Sequence, residues 1–412
     1  MKSVVAFALL ACTACANAQI QAVTPKSAAE TSSAIGANSP GVFADGYLYV
    51  SGQSSRRPDG STPPDVASQV RQSLDNIKAV VEAAGLTMAH IVYLQVYVED
   101  IRTYEQLDKA FADYFPKDAP ARAVLGVARV PEPPIEVTAV AVKDRSGMQP
   151  VFFPGQSPTR GYSPAVLTRD RLFVSAMPGS DPATGKVPSD PAAQVDFALD
   201  RMRTVVESAG LKLANMVFVN PYLTRAIPMR VMNVEYAKRF EFGNTPGRAT
   251  IQVSSLPQGV KIAYTGIAVR DLSQRHSIRP KNMPPSPTAS PCVFAGNTLY
   301  CSAKSGFTPG PISGVYGSNT FQQAHQTMRN QLDNLEEAEM KFDQIVFTTV
   351  YLDDLTDLAS FEKVYKKYFP GTPPARVTVQ QLPPTDRKPN KDEEYPDLEQ
   401  MSLIAVRNSP KN

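Results

Sequence analysis

Three arginines are the residues in this chain whose type and spacing most suggest chemistry. Arg122, Arg248 and Arg376 each follow a proline-containing turn and open a run of strand-forming residues, at intervals of roughly 130 positions. A guanidinium can hold a carboxylate with two parallel hydrogen bonds. A single arginine at the start of a strand is usually a solvated or paired surface residue, so the recurrence is what singles these three out.

The interval between the arginines indicates a tandem repeat of whole domains. Solenoid units repeat every 20–50 residues or so, which is much shorter. Without an N-terminal leader, each of three copies has roughly 130 residues, which is long enough to bury a core of its own. The sequence therefore predicts three small domains, at residues 32–145, 159–272 and 284–408.

The order of elements can be predicted in the first copy and recurs in the other two. A strand over 46–52 is followed by a helix that Asp65 caps and Gly85 ends, because its apolar positions follow a 3.6-residue period. A strand over 91–98, a second helix over 103–114, the strand of Arg122 and a strand over 135–142 complete the copy. Strands and helices mix without strict alternation, which predicts an α+β fold with two helices on one face of a mixed sheet.

The remaining segments are predicted to be linkers, a loop and a leader. Residues 145–158 and 276–290 connect the copies, and 384–397 form a polar insertion expected to be an exposed loop. Residues 1–18 are typical of a cleaved secretory signal, although Cys12 follows Leu-Ala and is also compatible with a lipoprotein anchor. We expect a periplasmic or secreted protein. After residue 18 the chain has no run of roughly 18 apolar residues, so we predict no transmembrane segment.

Charge and histidine content disfavour two classes of function. The net charge is +3, and acidic and basic residues are interspersed. No basic run with interleaved aromatic residues is present, so we expect no nucleic-acid partner. The chain has 3 histidines, and they lie in unrelated contexts, so a histidine-based metal site is hard to build.

Two cysteines are predicted to lie opposite each other across a hairpin. If Gly296 and Asn297 form its two-residue turn, Cys292 pairs with Cys301 at a non-hydrogen-bonded position, where the α-carbons approach most closely. A disulfide is then geometrically plausible in an oxidising compartment. The alternative is two small buried thiols, and both interpretations are structural.

Several blocks of the first copy match a known family in order and spacing. LYVSGQ is followed by VRQSLDNIKAVVEAAGLTMAHIVYLQVYVED and then by YFPKDAPARAVLGVARVPEPPIEVTAVAV. This copy closely resembles the RidA (YjgF/YER057c) family of enamine/imine deaminases, and the resemblance extends over all three copies. It implies a chorismate-mutase-like fold with ligand clefts between neighbouring subunits of a homotrimer. One chain with three copies would then form a monomeric pseudo-trimer.

The resemblance also implies site residues, and they are unevenly distributed. The family's carboxylate-binding arginine matches all three arginines of the repeat. Its catalytic glutamate matches Glu136 in copy one, while Ala263 and Gln400 stand at that place in the other copies. We therefore predict that at most one cleft is catalytically competent, and that it uses Arg122 and Glu136.

The rest of the family's ligand cradle is divided among the copies. Its Ser-Gly pair matches Ser51 and Gly52 in copy one, and its tyrosine matches Tyr162 in copy two. Its helix-borne asparagine matches Asn233, with Asp108 and Glu362 at that place in the other copies. These residues and the three arginines are expected to bind the substrate, and the two clefts without the glutamate could bind carboxylates without turning them over.

The activity implied by the resemblance is hydrolysis of reactive 2-imino acids or enamines to 2-oxo acids and ammonia. It requires a small carboxylate substrate and neither a cofactor nor a metal. The alternative is a non-catalytic carboxylate-binding or scaffold protein, which the missing glutamates of copies two and three favour. Some relatives carry an endoribonuclease label, but the weak net charge of +3 argues against that activity here.

Overall fold

A computed structural model of the chain describes residues 20–25, 36–158, 160–281, 283–310 and 314–407. The predicted signal segment, including Cys12, lies outside the described residues. Within the described ranges, no helix combines the length and apolar character needed to cross a membrane.

Each copy folds into one sheet with two main helices. Copy one contains β1 Gln21–Val23, β2 Gly41–Ala44, β3 Tyr47–Ser54, α1 Val66–Ala83, β4 Ile91–Val98, α2 Tyr104–Tyr114, β5 Ala121–Gly126 and β6 Ile135–Val142. Copy two contains β7 Gln149–Val151, β8 Ala165–Leu167, β9 Arg171–Pro178, α3 Pro191–Ser208, β10 Met216–Leu223, α4 Met229–Ala237, β11 Gly247–Arg248, β12 Ile251–Gln252 and β13 Ile262–Val269.

Copy three repeats the pattern and adds a small hairpin. Its elements are β14 Arg275–Ile278, β15 Cys292–Ala295, β16 Thr298–Ser305, β17 Phe307–Thr308, β18 Val315–Tyr316, α5 Thr320–Glu337, β19 Ile345–Leu352, α6 Leu358–Tyr368, β20 Ala375–Gln380 and β21 Glu399–Val406. Strands β17 and β18 form a separate two-stranded sheet. The predicted insertion over 384–397 contains no helix or strand.

The main sheet of each copy is mixed, which confirms the α+β prediction. In copy one the strand order is β1-β2-β3-β6-β4-β5. Only β4 and β5 are parallel there, because α2 crosses over between them. Copies two and three keep this arrangement. In each copy the helices pack on one face of the sheet around a core of their own.

The first helix of each copy begins where the sequence provides a cap. The side chain of Asp65 accepts a hydrogen bond from the backbone of Ser68, and Asp190 and Asn319 cap α3 and α5 in the same way. Gly85 follows α1 with a φ of +74°, a conformation that favours glycine after a helix. These local signals set where the helices begin and end.

The linkers differ from the prediction, because part of each joins a sheet. Gln149–Val151 pairs with β8 and Arg275–Ile278 pairs with β15, both antiparallel. Each therefore extends the sheet of the copy that follows it. Pairing satisfies backbone groups that a free connection would leave to water.

The three sheets turn their other faces toward a shared centre. Tyr97, Tyr222 and Tyr351 occupy equivalent positions and belong to one buried cluster. The hydroxyls of Tyr97 and Tyr351 are 3.3 Å apart, and Tyr222 donates to the Gln95 side chain at 3.2 Å. The copies thus share a common buried core on the sheet faces that their helices do not cover.

One buried arginine joins all three copies at this centre. Arg171 of copy two is 1% exposed. It donates to Asp45 of copy one at 2.9 Å and to Thr298 and Tyr300 of copy three at 2.8 and 3.1 Å. Tyr47 and Thr298 hold the place equivalent to Arg171 in the other copies, so the network depends on differences between the copies.

Cys292 and Cys301 lie directly opposite each other on β15 and β16, and a disulfide joins them. Their α-carbons are 4.0 Å apart, which is typical of the close, non-hydrogen-bonded pair of an antiparallel ladder. Both belong to the core of copy three and are fully buried. Their place in this core is structural.

Candidate active site between the copies

The arginine strand of each copy lies beside the β-strand of another copy that carries the serine. The backbone N–H of each arginine donates to a serine hydroxyl across this boundary: Arg122 to Ser175 at 2.7 Å, Arg248 to Ser302 at 2.8 Å and Arg376 to Ser51 at 2.8 Å. Three clefts result, between copies one and two, two and three, and three and one. We name them the Arg122, Arg248 and Arg376 clefts.

Glu136 lies in the Arg376 cleft. It pairs with Ser54 across β3 and β6, and its carboxyl group lies so close to Gly52 that any side chain at position 52 would overlap it. The glycine is therefore required by this close approach. Burial raises the pKa of Glu136 to about 8, with a further contribution from Glu132, while the charge of Arg376 opposes the shift.

The prediction that Arg122 and Glu136 act together is wrong. Arg122 is opposite Leu94 in the ladder, and Leu94 belongs to the core beneath the helices. Glu136 is opposite Tyr97, which faces the shared centre. Directly paired residues point to the same side of a sheet, so these two side chains leave opposite faces of copy one. Arg376 of copy three is the arginine that faces Glu136.

Arg376 is held in place by its own copy. Its guanidinium forms an ion pair with Glu362 of α6 and lies over the ring of Tyr365, 4.7 Å from the ring centroid. Glu362 also accepts a hydrogen bond from the backbone of Ala37 at 3.1 Å. A side chain at Gly36 would overlap Glu362 and Arg376. The N-terminal segment of copy one thus covers this cleft with bare backbone.

The Arg122 cleft contains the tyrosine but no glutamate. Arg122 forms an ion pair with Asp108 and lies between the rings of Phe111 and Tyr162, at 4.8 and 5.1 Å from their centroids. Ala263 occupies the place equivalent to Glu136. The predicted contact residue Tyr162 therefore lies against Arg122, in a cleft without a carboxyl group on the last strand.

The Arg248 cleft contains a large cavity, of about 740 Å³. Arg248 donates to the side-chain oxygen of Asn233 at 2.8 Å, so these two predicted site residues do lie together. Ala303 and Gln400 replace the glycine and the glutamate of the Arg376 cleft. The amide of Gln400 donates to the backbone of Thr250 at 3.3 Å, which leaves no base at this place.

The structure thus divides the predicted site residues among three clefts. Ser51, Gly52 and Glu136 meet Arg376, Tyr162 meets Arg122, and Asn233 meets Arg248. Sequence analysis did not identify Arg376 as the partner of Glu136, nor the acidic partners of two of the arginines. The sequence contained a signal for these acidic partners. At the helix position where copy two has Asn233, copies one and three have Asp108 and Glu362.

The fold and the clefts define the class: a chain of three tandem α+β copies with arginine clefts at the boundaries between them. The family model described as endoribonuclease L-PSP matches residues 29–143, 155–270 and 282–386. The chain belongs to this family, with three tandem copies.

Relatives with known names support the resemblance to RidA. A protein of Escherichia coli K12 named 2-iminobutanoate/2-iminopropanoate deaminase is 41% identical over 115 residues, which cover 27% of this chain and 90% of the relative. A RutC family protein of Pyrococcus horikoshii is 34% identical over 113 residues, with 27% and 90% covered. The crystal structure of the E. coli YjgF gene product shares 39% identity over 28% of this chain and 94% of that chain, with a TM-score of 0.27. The RidA resemblance is confirmed, and enamine/imine deaminase function is supported for the family.

Proposed function

We propose that this chain hydrolyses 2-imino acids and their enamines to 2-oxo acids and ammonia in the Arg376 cleft. The observation that supports the proposal is that Glu136 of copy one and Arg376 of copy three lie in the same cleft, close enough for the charge of Arg376 to affect the pKa of Glu136. At the equivalent places, Ala263 and Gln400 have no group that can transfer a proton. One cleft in three therefore carries out turnover.

The substrate carboxylate binds to the guanidinium of Arg376 in this proposal. Arginine suits the role because its planar fork matches a carboxylate. Glu362 already pairs with this guanidinium, so the substrate competes with an internal carboxylate. Ser51 and the bare backbone at Gly52 line the opposite wall, which lets the reacting carbon approach Glu136.

Glu136 transfers the protons of the reaction. With a pKa of about 8 it is mostly protonated at neutral pH, so it first donates a proton to the imine nitrogen. The resulting carboxylate accepts a proton from the water that attacks C2, which gives a carbinolamine. Glu136 then protonates the amino group, and the hydroxyl returns a proton to the carboxylate as ammonia leaves. One water is consumed, and one 2-oxo acid and one ammonia are formed.

Export to the periplasm or the medium is part of the proposal and is supported by the leader-like sequence of residues 1–18. A second candidate function is carboxylate binding without turnover. The observation that favours it is that all three clefts keep the arginine, while Ala263 and Gln400 stand where Glu136 stands in the Arg376 cleft.

The two functions are separated by measuring the decay of freshly generated 2-iminobutanoate. We expect the chain without residues 1–18 to accelerate formation of 2-oxobutanoate over buffer, and Glu136→Gln to abolish the acceleration. The glutamine keeps the volume of the buried side chain and removes its titratable proton. A folded wild-type chain that leaves the decay at the rate of buffer would rule out turnover of this substrate.

A further inference from the structure

Glu132 lies beside the proposed proton donor of the Arg376 cleft. Its carboxylate accepts a hydrogen bond from the hydroxyl of Ser54 at 2.5 Å and another from the guanidinium of Arg56 at 3.0 Å. Ser54 lies directly opposite Glu136 in the ladder of β3 and β6. Directly paired residues point to the same side of a sheet, so Ser54 and its partner Glu132 lie on the face to which Glu136 points.

Further hydrogen bonds fix this arrangement. The backbone N–H of Arg56 donates to the hydroxyl of Ser54 at 3.3 Å. The side-chain amide of Asn76 on α1 donates to the backbone carbonyls of Ser54 and Arg56, both at 2.9 Å. The side chain of Glu132 is only 18% exposed, whereas that of Arg56 is 46% exposed. The carboxylate of Glu132 is thus held at the side of the cleft by a hydroxyl and a cation.

The arrangement belongs to copy one alone. Glu132 follows Val-Pro, and the corresponding Leu-Pro pairs of copies two and three are followed by Gln258 and Pro384. A serine and a phenylalanine stand at the place of Arg56, counted from the serine of each cleft. The acid at position 132 therefore accompanies the acid at position 136, in the copy that supplies the proposed proton donor.

Charged and titratable groups face Glu136 from three elements. Burial raises the pKa of Glu136 most, the charge of Glu132 before β6 raises it further, and the charge of Arg376 on β20 lowers it. Tyr97 lies opposite on β4, and burial raises its pKa well above the usual value, so it stays neutral. Because the cation that binds the substrate favours loss of the proton from Glu136, Glu132 offsets that effect.

We propose that Glu132 is a positioning residue of the Arg376 cleft, whose charge, held in place by Arg56 and Ser54, keeps the proton on Glu136 until the imino acid binds. This inference rests on the deaminase reaction proposed above. Once Glu136 has given its proton to the imine nitrogen, the same charge makes its carboxylate a stronger base toward the attacking water. Glu132 therefore acts through Glu136 in both steps.

The dependence of kcat/KM for 2-iminobutanoate on pH tests this role in Glu132→Gln. The glutamine keeps the volume and an acceptor oxygen for Ser54 but removes the charge, so we expect the inflection to fall by about one pH unit. The variant should match the wild type within about twofold at about pH 6 and be about tenfold slower at about pH 9, because only the protonated acid is active. A loss of folded protein would lower the rate equally at both pH values.

Glu105→Gln is the matched control, because it removes the same charge from the exposed surface of α2. It should keep the wild-type profile. An inflection of Glu132→Gln at the wild-type pH would overturn the proposal.

Arg56→Met changes the profile in the opposite direction. It leaves the charge of Glu132 without its cation, so the inflection should move to higher pH. The guanidinium of the neighbouring Arg57 donates to Ser61 at 3.3 Å, and Arg57→Met should leave the profile unchanged. A downward shift in Arg56→Met would contradict the role assigned to the charge of Glu132.

Titration of the Glu136 carboxyl group by ¹³C NMR separates this inference from the deaminase reaction. The signal is assigned by its loss in Glu136→Gln, and its midpoint should fall by about one pH unit in Glu132→Gln, with or without turnover. A shifted midpoint in a protein that does not hydrolyse 2-iminobutanoate would support the coupling of the two carboxyl groups and rule out that reaction. An unshifted midpoint would overturn the role of Glu132 even in an active enzyme.

Discussion

The backbone N–H of Arg376 donates to the hydroxyl of Ser51 at 2.8 Å, across 325 positions of sequence. This bond joins the third copy to the first and closes the ring of three. It also brings the arginine of copy three to the glutamate of copy one. The proposed catalytic pair therefore exists only when copies one and three have folded and packed together, since its two members belong to the first and last domains.

Gly52→Ala is expected to lower kcat/KM for 2-iminobutanoate by about a hundredfold, because the added methyl group overlaps the carboxyl group of Glu136. A displacement of about 1 Å at a reacting group is sufficient for a loss of that size. The hydrolysis assay on purified protein measures it. Ala176→Gly changes the equivalent position in the Arg122 cleft and should leave kcat/KM unchanged. Equal losses in the two variants would contradict the assignment of turnover to the Arg376 cleft.

Glu362→Gln is expected to lower KM for the imino acid by about tenfold, because the substrate carboxylate no longer competes with an internal one for Arg376. The glutamine oxygen can still accept the hydrogen bond from Ala37. Steady-state kinetics at several substrate concentrations separate KM from kcat. Asp108→Asn makes the corresponding change in the Arg122 cleft and should not alter KM. An unchanged or raised KM in Glu362→Gln would show that the ion pair assists binding.

The rate of hydrolysis is expected to fall as pH rises through about 8. Glu136 acts first as an acid, so the free enzyme must hold its proton, and burial raises the pKa of that proton to about 8. A profile of kcat/KM against pH, corrected for uncatalysed decay, measures the inflection. An inflection near the ordinary glutamate value of about 4.3 would be inconsistent with a buried, protonated Glu136.

Stability is expected to decrease with rising pH, partly through Glu399. This residue is buried, its carboxyl group accepts a hydrogen bond from the hydroxyl of Thr327 on α5, and burial raises its pKa to about 8. The folded state holds the proton more tightly than the unfolded state, so the stabilisation is complete below about pH 4.5 and is lost as pH rises through about 8.

Thermal unfolding across that pH interval measures the effect. Glu399→Gln cannot lose a proton, and its melting temperature should decline less steeply than that of the wild type. Asp397 contributes in the same direction, because burial raises its pKa to about 7. Parallel declines in wild type and Glu399→Gln would show that Glu399 does not titrate in this range.

Arg171→Met is expected to lower the free energy of unfolding by about 1–3 kcal/mol, because it leaves the partly buried Asp45 and the buried hydroxyl of Tyr300 without their donor. Urea unfolding followed by circular dichroism measures the loss. The neighbouring Arg169 has an 81% exposed side chain, and Arg169→Met should change the free energy by about 0.5 kcal/mol or less. Similar effects of the two substitutions would mean that the network at the shared centre contributes little.

The sequence predicted the elements well where a local signal existed. Asp65 caps the start of the first helix, and Gly85 follows its end. The turn at Gly296 sets the pairing of Cys292 with Cys301. The edge strands formed by the linkers were missed, since a three-residue strand such as Gln149–Val151 has too short a pattern to recognise.

The composition of the clefts could not be predicted, because it depends on which copy neighbours which. The alternation of strand residues assigns Arg122 and Glu136 to faces only after the register of the intervening β4 is known. No local sequence pattern indicates that the strand of Arg376 lies beside the strand of Ser51. The sequence shows Asp108, Asn233 and Glu362 at the same helix position of the three copies. Their role as partners of the cleft arginines became clear only from the contacts in the structure.

The most direct test of the account compares Arg376→Met with Arg122→Met in the 2-iminobutanoate assay. Both substitutions remove a buried cleft arginine that has an acidic partner, so their effects on folding should be similar. We predict that Arg376→Met lowers kcat/KM by at least about a hundredfold and that Arg122→Met changes it by less than about threefold. A large loss in Arg122→Met with activity retained in Arg376→Met would contradict the pairing of Glu136 with Arg376.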